Sequence, residues 1–174
     1  MITSETAPEI TPVSPPRPTA PKVVKLAQTV IIDRPCGTVF AFRSALVNSP
    51  EWRRGVVSAN LDELGPIGVG SHCIETRSGP DDSTQEWDLE ITEYERGTLL
   101  GIVERRGEIT VQERHCFDPE GAATRYTVAV EATGGSLSGA AFQKQLLENI
   151  LQLKWALEGE RTKAWGGRNP PRSS

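Results

Sequence analysis

Glu104, Glu113, His115 and Tyr126 are the residues whose types and spacing could do chemistry in this chain. A carboxylate and an imidazole two residues apart on a strand project from one face, about 7 Å apart by the pleat repeat. A carbonyl or hydroxyl lying between Glu113 and His115 would meet groups suited to general acid–base work. Burial would raise the carboxyl pKa toward the range useful for that work. Removing a buried charge by Glu113→Gln would then be expected to leave the fold intact. Tyr126, placed opposite Glu113, would hydrogen-bond it or a substrate oxygen. Other chemical signals are weaker. His72-Cys73 and His115-Cys116 look like two halves of a zinc site. Adjacent strand side chains point to opposite faces, so each pair offers one ligand per face, and no metal is expected. Gly65-x-x-Gly68-x-Gly70 resembles a phosphate loop, but no helix pattern follows, so it reads as a turn. No Ser-His-Asp arrangement is apparent, and no cofactor is expected.

Strand alternation decides which side chains share a face. Taking Arg106-Gly107 as a two-residue turn pairs Arg105 with Glu108. Taking residues 118–121 as the next turn pairs Phe117 with Ala122, His115 with Thr124, and Glu113 with Tyr126. Both turns give one inner face: Leu100, Ile102, Glu104, Ile109, Val111, Glu113, His115, Phe117, Thr124, Tyr126, Val128 and Val130. Trp87, Leu89 and Ile91 join it from the preceding strand. The opposite face carries Glu108, Thr110, Gln112, Arg114, Arg125 and Thr127, which suits water. No arginine falls on the inner face. A second reading stays open for the polar members. A bulge or one-residue slip would turn Glu104 and Glu113 to solvent, and His115 would serve as a satisfied interior histidine. Trp52 reads as helix-to-sheet packing.

The elements that position these residues follow from periodicity. Residues 26–32 are rich in Val and Ile and read as a strand. Asp33-Arg34-Pro35 reads as a helix start, with Val39, Phe40, Phe42 and Leu46 as its apolar face. Ser49-Pro50-Glu51-Trp52 starts a second short helix. From about 56 to 131 the period is two, broken by turn signals, which describes six strands in hairpins. Phe142, Leu146, Ile150, Leu153 and Leu157, widened by Leu147 and Leu151, mark a helix of roughly 22 residues, about 33 Å long. Ser136 or Ser138 caps its start and Gly159 its end. This is an α+β order: strand, two short helices, six strands, long helix. The sheet must cover its apolar face, and one long amphipathic element is available to do so. The sheet therefore wraps the helix and leaves a cavity between them.

The composition sets bounds. The 174 residues carry a net charge of -4, without the basic footprint of a nucleic-acid binder. No apolar run is long enough to span a membrane and no signal peptide is read at the N-terminus. Cys36, Cys73 and Cys116 read as reduced thiols of a cytoplasmic protein. Residues 1–22, rich in proline, are expected to be a disordered tail. Residues 23–159 form the domain, and 160–174 a flexible tail in which Trp165 stands out.

Several short motifs carry a resemblance: Ile31-Ile32-Asp33-Arg34-Pro35 with Val39-Phe40, Pro50-Glu51-Trp52, and Pro66-Ile67-Gly68-Val69-Gly70-Ser71. Glu90-Ile91-Thr92-Glu93-Tyr94-Glu95, Phe117-Asp118-Pro119, Ala123-Thr124-Arg125 and Leu153-Lys154 with Leu157-Glu158 complete the order. Over about 26–158 the chain resembles the START-like, or SRPBCC, superfamily of helix-grip proteins, and looks most like its polyketide cyclase/dehydrase and lipid-transport branch. The resemblance implies about seven strands curved around the last helix, and a hydrophobic cavity for lipids, polyketides or hormones. It ties aromatising activity to a cavity arginine. It fixes no single catalytic set, so function rests on the site.

Two functions follow as expectations. The first is a polyketide cyclase or dehydratase of specialised metabolism, with Glu113, His115 and Tyr126 catalytic. Its ligand would touch Trp87, Leu89, Leu100, Ile102, Glu104, Val111, Thr124, Val128, Phe142, Leu146 and Ile150. The second is a binding or transfer protein for a lipid, quinone or similar hydrophobic molecule in the same cavity. The partner in either case is a hydrophobic small molecule, and the oligomeric state is open.

Overall fold

A computed structural model describes residues 22–62, 64–135 and 138–159 of the chain. The tail segments 1–21 and 160–174, with Trp165, and the alternative cap Ser136 lie outside the described residues. The element order is β1 (Val23–Ile32), α1 (Cys36–Ser44), α2 (Ser49–Trp52), β2 (Val56–Leu61), β3 (His72–Ser78), β4 (Thr84–Glu95), β5 (Leu99–Arg106), β6 (Ile109–Glu120), β7 (Ala123–Thr133) and α3 (Gly139–Glu158). A single 3₁₀ turn, Leu46–Asn48, joins α1 to α2. The seven strands make one antiparallel sheet in the order β1-β7-β6-β5-β4-β3-β2, with β1 returning from the chain start to pair with β7.

Both hairpins that set the inner face turn later than expected. The β5–β6 turn is Gly107-Glu108, with Arg106 opposite Ile109. Gly107 has φ 56°, the conformation a two-residue hairpin asks of glycine in its first central position. The β6–β7 turn is Gly121-Ala122, with Glu120 opposite Ala123. Pro119 therefore sits inside β6. It is tolerated because β5 begins opposite Cys116, leaving β6 with one neighbour there. The two pairings slip by two and by four residues. Even slips preserve the alternation, so the expected inner face stands although the facing pairs change. Tyr126 lies opposite Phe117, and Glu113 opposite Val130, not Tyr126.

The α3 helix crosses the concave face with Leu146, Asn149, Ile150 and Leu153 buried. Ser138 accepts from the Ala141 amide, and Gly159 closes the helix at φ 82°. Leu147, expected in the apolar stripe, is exposed, and the polar Asn149 is buried instead. The C-terminal end of α3 is tied to the β1–α1 junction: Lys154 Nζ donates to the Ile31 carbonyl at 2.9 Å, and the Asp33 amide donates to Glu158 at 2.7 Å.

The short helices fill one end of the grip. Phe40 packs edge-on against Phe117 and Tyr94, with centroids 5.2 and 5.1 Å apart, and Ile32, Val39 and Leu46 are fully buried around them. That end is solid core. The other end, under the N-terminal half of α3, stays open.

Candidate functional site

Arg43 enters the interior from α1. Val39 and Phe40 are buried on that helix, and Arg43 follows them at i+4 and i+3, so it shares their face. Its guanidinium is 1% exposed and lies 5.0 Å above the Trp52 ring. Arg53, directly after α2, is carried in beside it. The sheet supplies the counter-charges: Glu75 from β3, Glu104 from β5 and Glu113 from β6, at 0%, 1% and 8% exposure. Arg77 of β3 completes the set.

These six residues form a continuous ion-pair network. Arg43 Nη2 donates to Glu113 Oε2 at 3.1 Å. Arg53 spans Glu104 and Glu113, at 2.5 and 3.3 Å, with Glu75 at 3.6 Å. Arg77 spans Glu75 and Glu104, at 2.6 and 2.9 Å. Three cations meet three anions, which is how such charges tolerate burial. Burial alone would raise Glu113, but Arg53, the His115 hydrogen bond and Arg43 hold its carboxyl well below the usual range. Glu75 is lowered in the same way: burial pushes it up, and Arg53 and Arg77 more than reverse that. Burial would depress Arg53, yet Glu104, Glu113 and Glu75 raise it. The expectation that burial lifts Glu113 toward neutrality is thus overturned, because two arginines that the strand pattern did not reveal lie against it.

His115 joins this network to Tyr126. Its Nε2 is 3.0 Å from Arg43 Nη2 and 3.2 Å from Glu113 Oε2, and its Nδ1 is 2.7 Å from the Tyr126 hydroxyl. An arginine only donates. With Arg43 donating to Nε2, the ring proton sits on Nδ1 and goes to Tyr126. With the proton on Nε2 it goes to Glu113, and Tyr126 donates to Nδ1. Both arrangements hold a neutral ring. Burial first and Arg43 next push His115 down to about 4, while burial pushes Tyr126 up to about 12. At neutral pH the cluster therefore presents ionised, paired Glu113, neutral His115 and protonated Tyr126.

A cleft of about 250 Å³ opens beside the network, beneath the N-terminal half of α3. Trp87, Val111, Phe142 and Leu146 give it apolar walls, and Arg53, Arg77, Glu113 and Asn149 polar ones. Arg77 stacks over Trp87 at 4.4 Å. A void of about 20 Å³ continues from the shared residues Arg53, Glu113, Leu146 and Asn149 toward Trp52, His115, Tyr126, Val128 and Ile150, with room for about one water.

Glu113, His115 and Tyr126 are thus brought together. Trp87, Val111, Phe142 and Leu146 line the cleft, and Val128 and Ile150 the void. Five expected ligand contacts line neither space. Leu89, Leu100 and Ile102 are fully buried in the hydrophobic core. Thr124 donates to the Arg34 carbonyl at 2.7 Å at the closed end. Glu104 is consumed by Arg53 and Arg77. At the closed end Phe40 of α1 occupies the space against Tyr94 and Phe117. The readings that turned Glu104 and Glu113 to solvent do not hold, since both are buried.

No protein-family model matches the chain, and no curated protein matches it by sequence. Solved structures do match. A START superfamily protein from Mycobacterium smegmatis superposes with a TM-score of 0.62 over 78% of this chain and 95% of that one, at 13% identity. The chain has the START-like, helix-grip fold. Ara h 8.0201 superposes at TM-score 0.62 and 16% identity, over 80% of this chain and 97% of its own. The di-domain ARO/CYC StfQ from the steffimycin biosynthetic pathway matches at TM-score 0.62 and 12% identity, over 80% of this chain and 52% of that protein. At these identities the likeness is one of fold. Among the described residues no helix is long and apolar enough to cross a membrane.

Proposed function

We propose that this START-like chain binds a compact, largely apolar small molecule in the cleft under α3, and that Glu113, His115 and Tyr126 set the polarity of its inner end rather than moving protons. One observation carries this reading: the ionisable groups at the cleft floor are committed to one another. Glu113 is held ionised between Arg43 and Arg53, and burial pushes His115 down to about 4 and Tyr126 up to about 12. A general acid or base works best with a pKa near the operating pH, and none of the three has one. The volume adds a size limit. About 250 Å³ lies below the roughly 300–1,000 Å³ of drug-sized pockets and above the roughly 150 Å³ cavity that holds benzene. That fits a molecule of one or two rings.

A cyclase is the second reading. It is favoured by Tyr126 lining the void and by Arg53 lining both void and cleft, since the resemblance ties aromatising activity to a cavity arginine. Two experiments separate the readings. Native mass spectrometry of the purified full chain should detect a bound small molecule, and Leu146→Trp, which fills the cleft, should abolish it. An adduct that survives Leu146→Trp would place the ligand elsewhere and refute the proposal. Turnover of a poly-β-ketone substrate that is lost in Tyr126→Phe would establish the enzyme instead.

A further inference from the structure

Asn149 is a buried polar residue outside the ion-pair network. It sits on the buried stripe of α3 between Leu146, Ile150 and Leu153, and is 7% exposed. Its Oδ1 is fully buried with no hydrogen-bond partner among the described residues. An apolar residue there would seal the helix onto the sheet without cost, whereas an unsatisfied buried amide is destabilising. The amide stands where the cleft and the small void meet, lining both. The charged groups around it are already paired: Arg53 and Glu113 with each other, Arg77 with Glu75 and Glu104, and Arg54 with Glu148 at 3.1 Å. A charged ligand would meet no unpaired charge among the residues lining the cleft.

Resting on the binding reading above, we propose that Asn149 is the polar anchor of the cleft, and that the ligand is a neutral, ring-bearing molecule whose hydroxyl or N–H donates to Asn149 Oδ1. The ring lies against Trp87, Phe142 and Leu146. The amide rejects a hydrocarbon that leaves it unpaired, and the balanced network rejects an anion of the same shape.

Three probes of one shape test this on the full chain by equilibrium dialysis at pH 7: 2-naphthol, naphthalene and 2-naphthoate. The expected result is that 2-naphthol binds about tenfold more tightly than the other two, the usual worth of one hydrogen bond to a buried group. Asn149→Leu and Asn149→Ala should each remove that preference while keeping the melting temperature at or above the parent's. The ratio between probes is the readout, so any bulk that leucine adds to the cleft cancels. A preference that survives both substitutions, or tighter binding of 2-naphthoate, overturns the anchor. If all three probes bind equally and Leu146→Trp blocks them, the cleft binds ligands and the anchor alone is wrong. If none binds, the cleft reading falls and the anchor with it.

Discussion

Glu113→Gln tests the buried ion-pair network at the carboxylate that pairs with Arg43. Glutamine keeps the shape of glutamate and removes its charge. Glu113 is the ion-pair partner of Arg43, at 3.1 Å, whereas Arg53 retains Glu104 and Glu75. Arg43 is 1% exposed, so the substitution leaves a buried cation without an anion. Removing one partner of a buried pair costs about 3–5 kcal/mol. That is a large part of the roughly 5–15 kcal/mol that holds a domain together. For a chain of this size it corresponds to a melting temperature lowered by about 6–20 °C. Arg43→Met with Glu113→Leu replaces the pair by apolar groups and should recover most of the loss. A double-mutant cycle in urea, followed by tryptophan fluorescence, should give a coupling above about 1 kcal/mol. A Glu113→Gln variant within about 1 kcal/mol of the parent would refute the reasoning and restore the simpler view that this charge is dispensable.

Acid should destabilise the protein before any ordinary carboxylate titrates. His115 falls from its usual 6.5 to about 4 in the folded state, so between those values the unfolded chain binds the extra proton and stability drops as pH falls, by about 3 kcal/mol in all. His115→Gln should flatten that window in urea titrations from pH 7 to 4, and an unchanged slope would contradict it. Below it, Glu113 should remove further stability as pH falls toward its depressed folded value. Ligand affinity should be flat from about pH 6 to 9, since His115 stays neutral and Tyr126 protonated there. Gly134→Ala should be more damaging than its position after β7 implies. Its φ is 87°, and an added Cβ would lie 1.9 Å from the Glu108 carbonyl oxygen, so the β5–β6 hairpin must move. A thermal melt within a degree or two of the parent would refute this.

The sequence determined the elements and the sidedness of the sheet. Period-two alternation is a local property, and both hairpins differ from the turn signals by an even number of residues, so Glu113, His115 and Tyr126 keep their common face although their facing partners change. The α3 helix was equally legible, because an apolar stripe at steps of three and four is carried by the chain itself. Tertiary structure decided what those side chains meet. Arg43 lay on a readable apolar face three residues after Phe40, and Glu75 and Arg77 alternate with the buried Cys73. Which arginine reaches which carboxylate depends on where two short helices dock across the sheet end, and no local pattern encodes that. Leu89, Leu100 and Ile102 ended in the core, and the cleft lies at the far end under Leu146 and Asn149. Electrostatics followed from that docking. A carboxylate in an apolar pocket is pushed up and one between two guanidiniums is pushed down, so the sign of the Glu113 shift was fixed by neighbours 70 and 60 residues away in the chain.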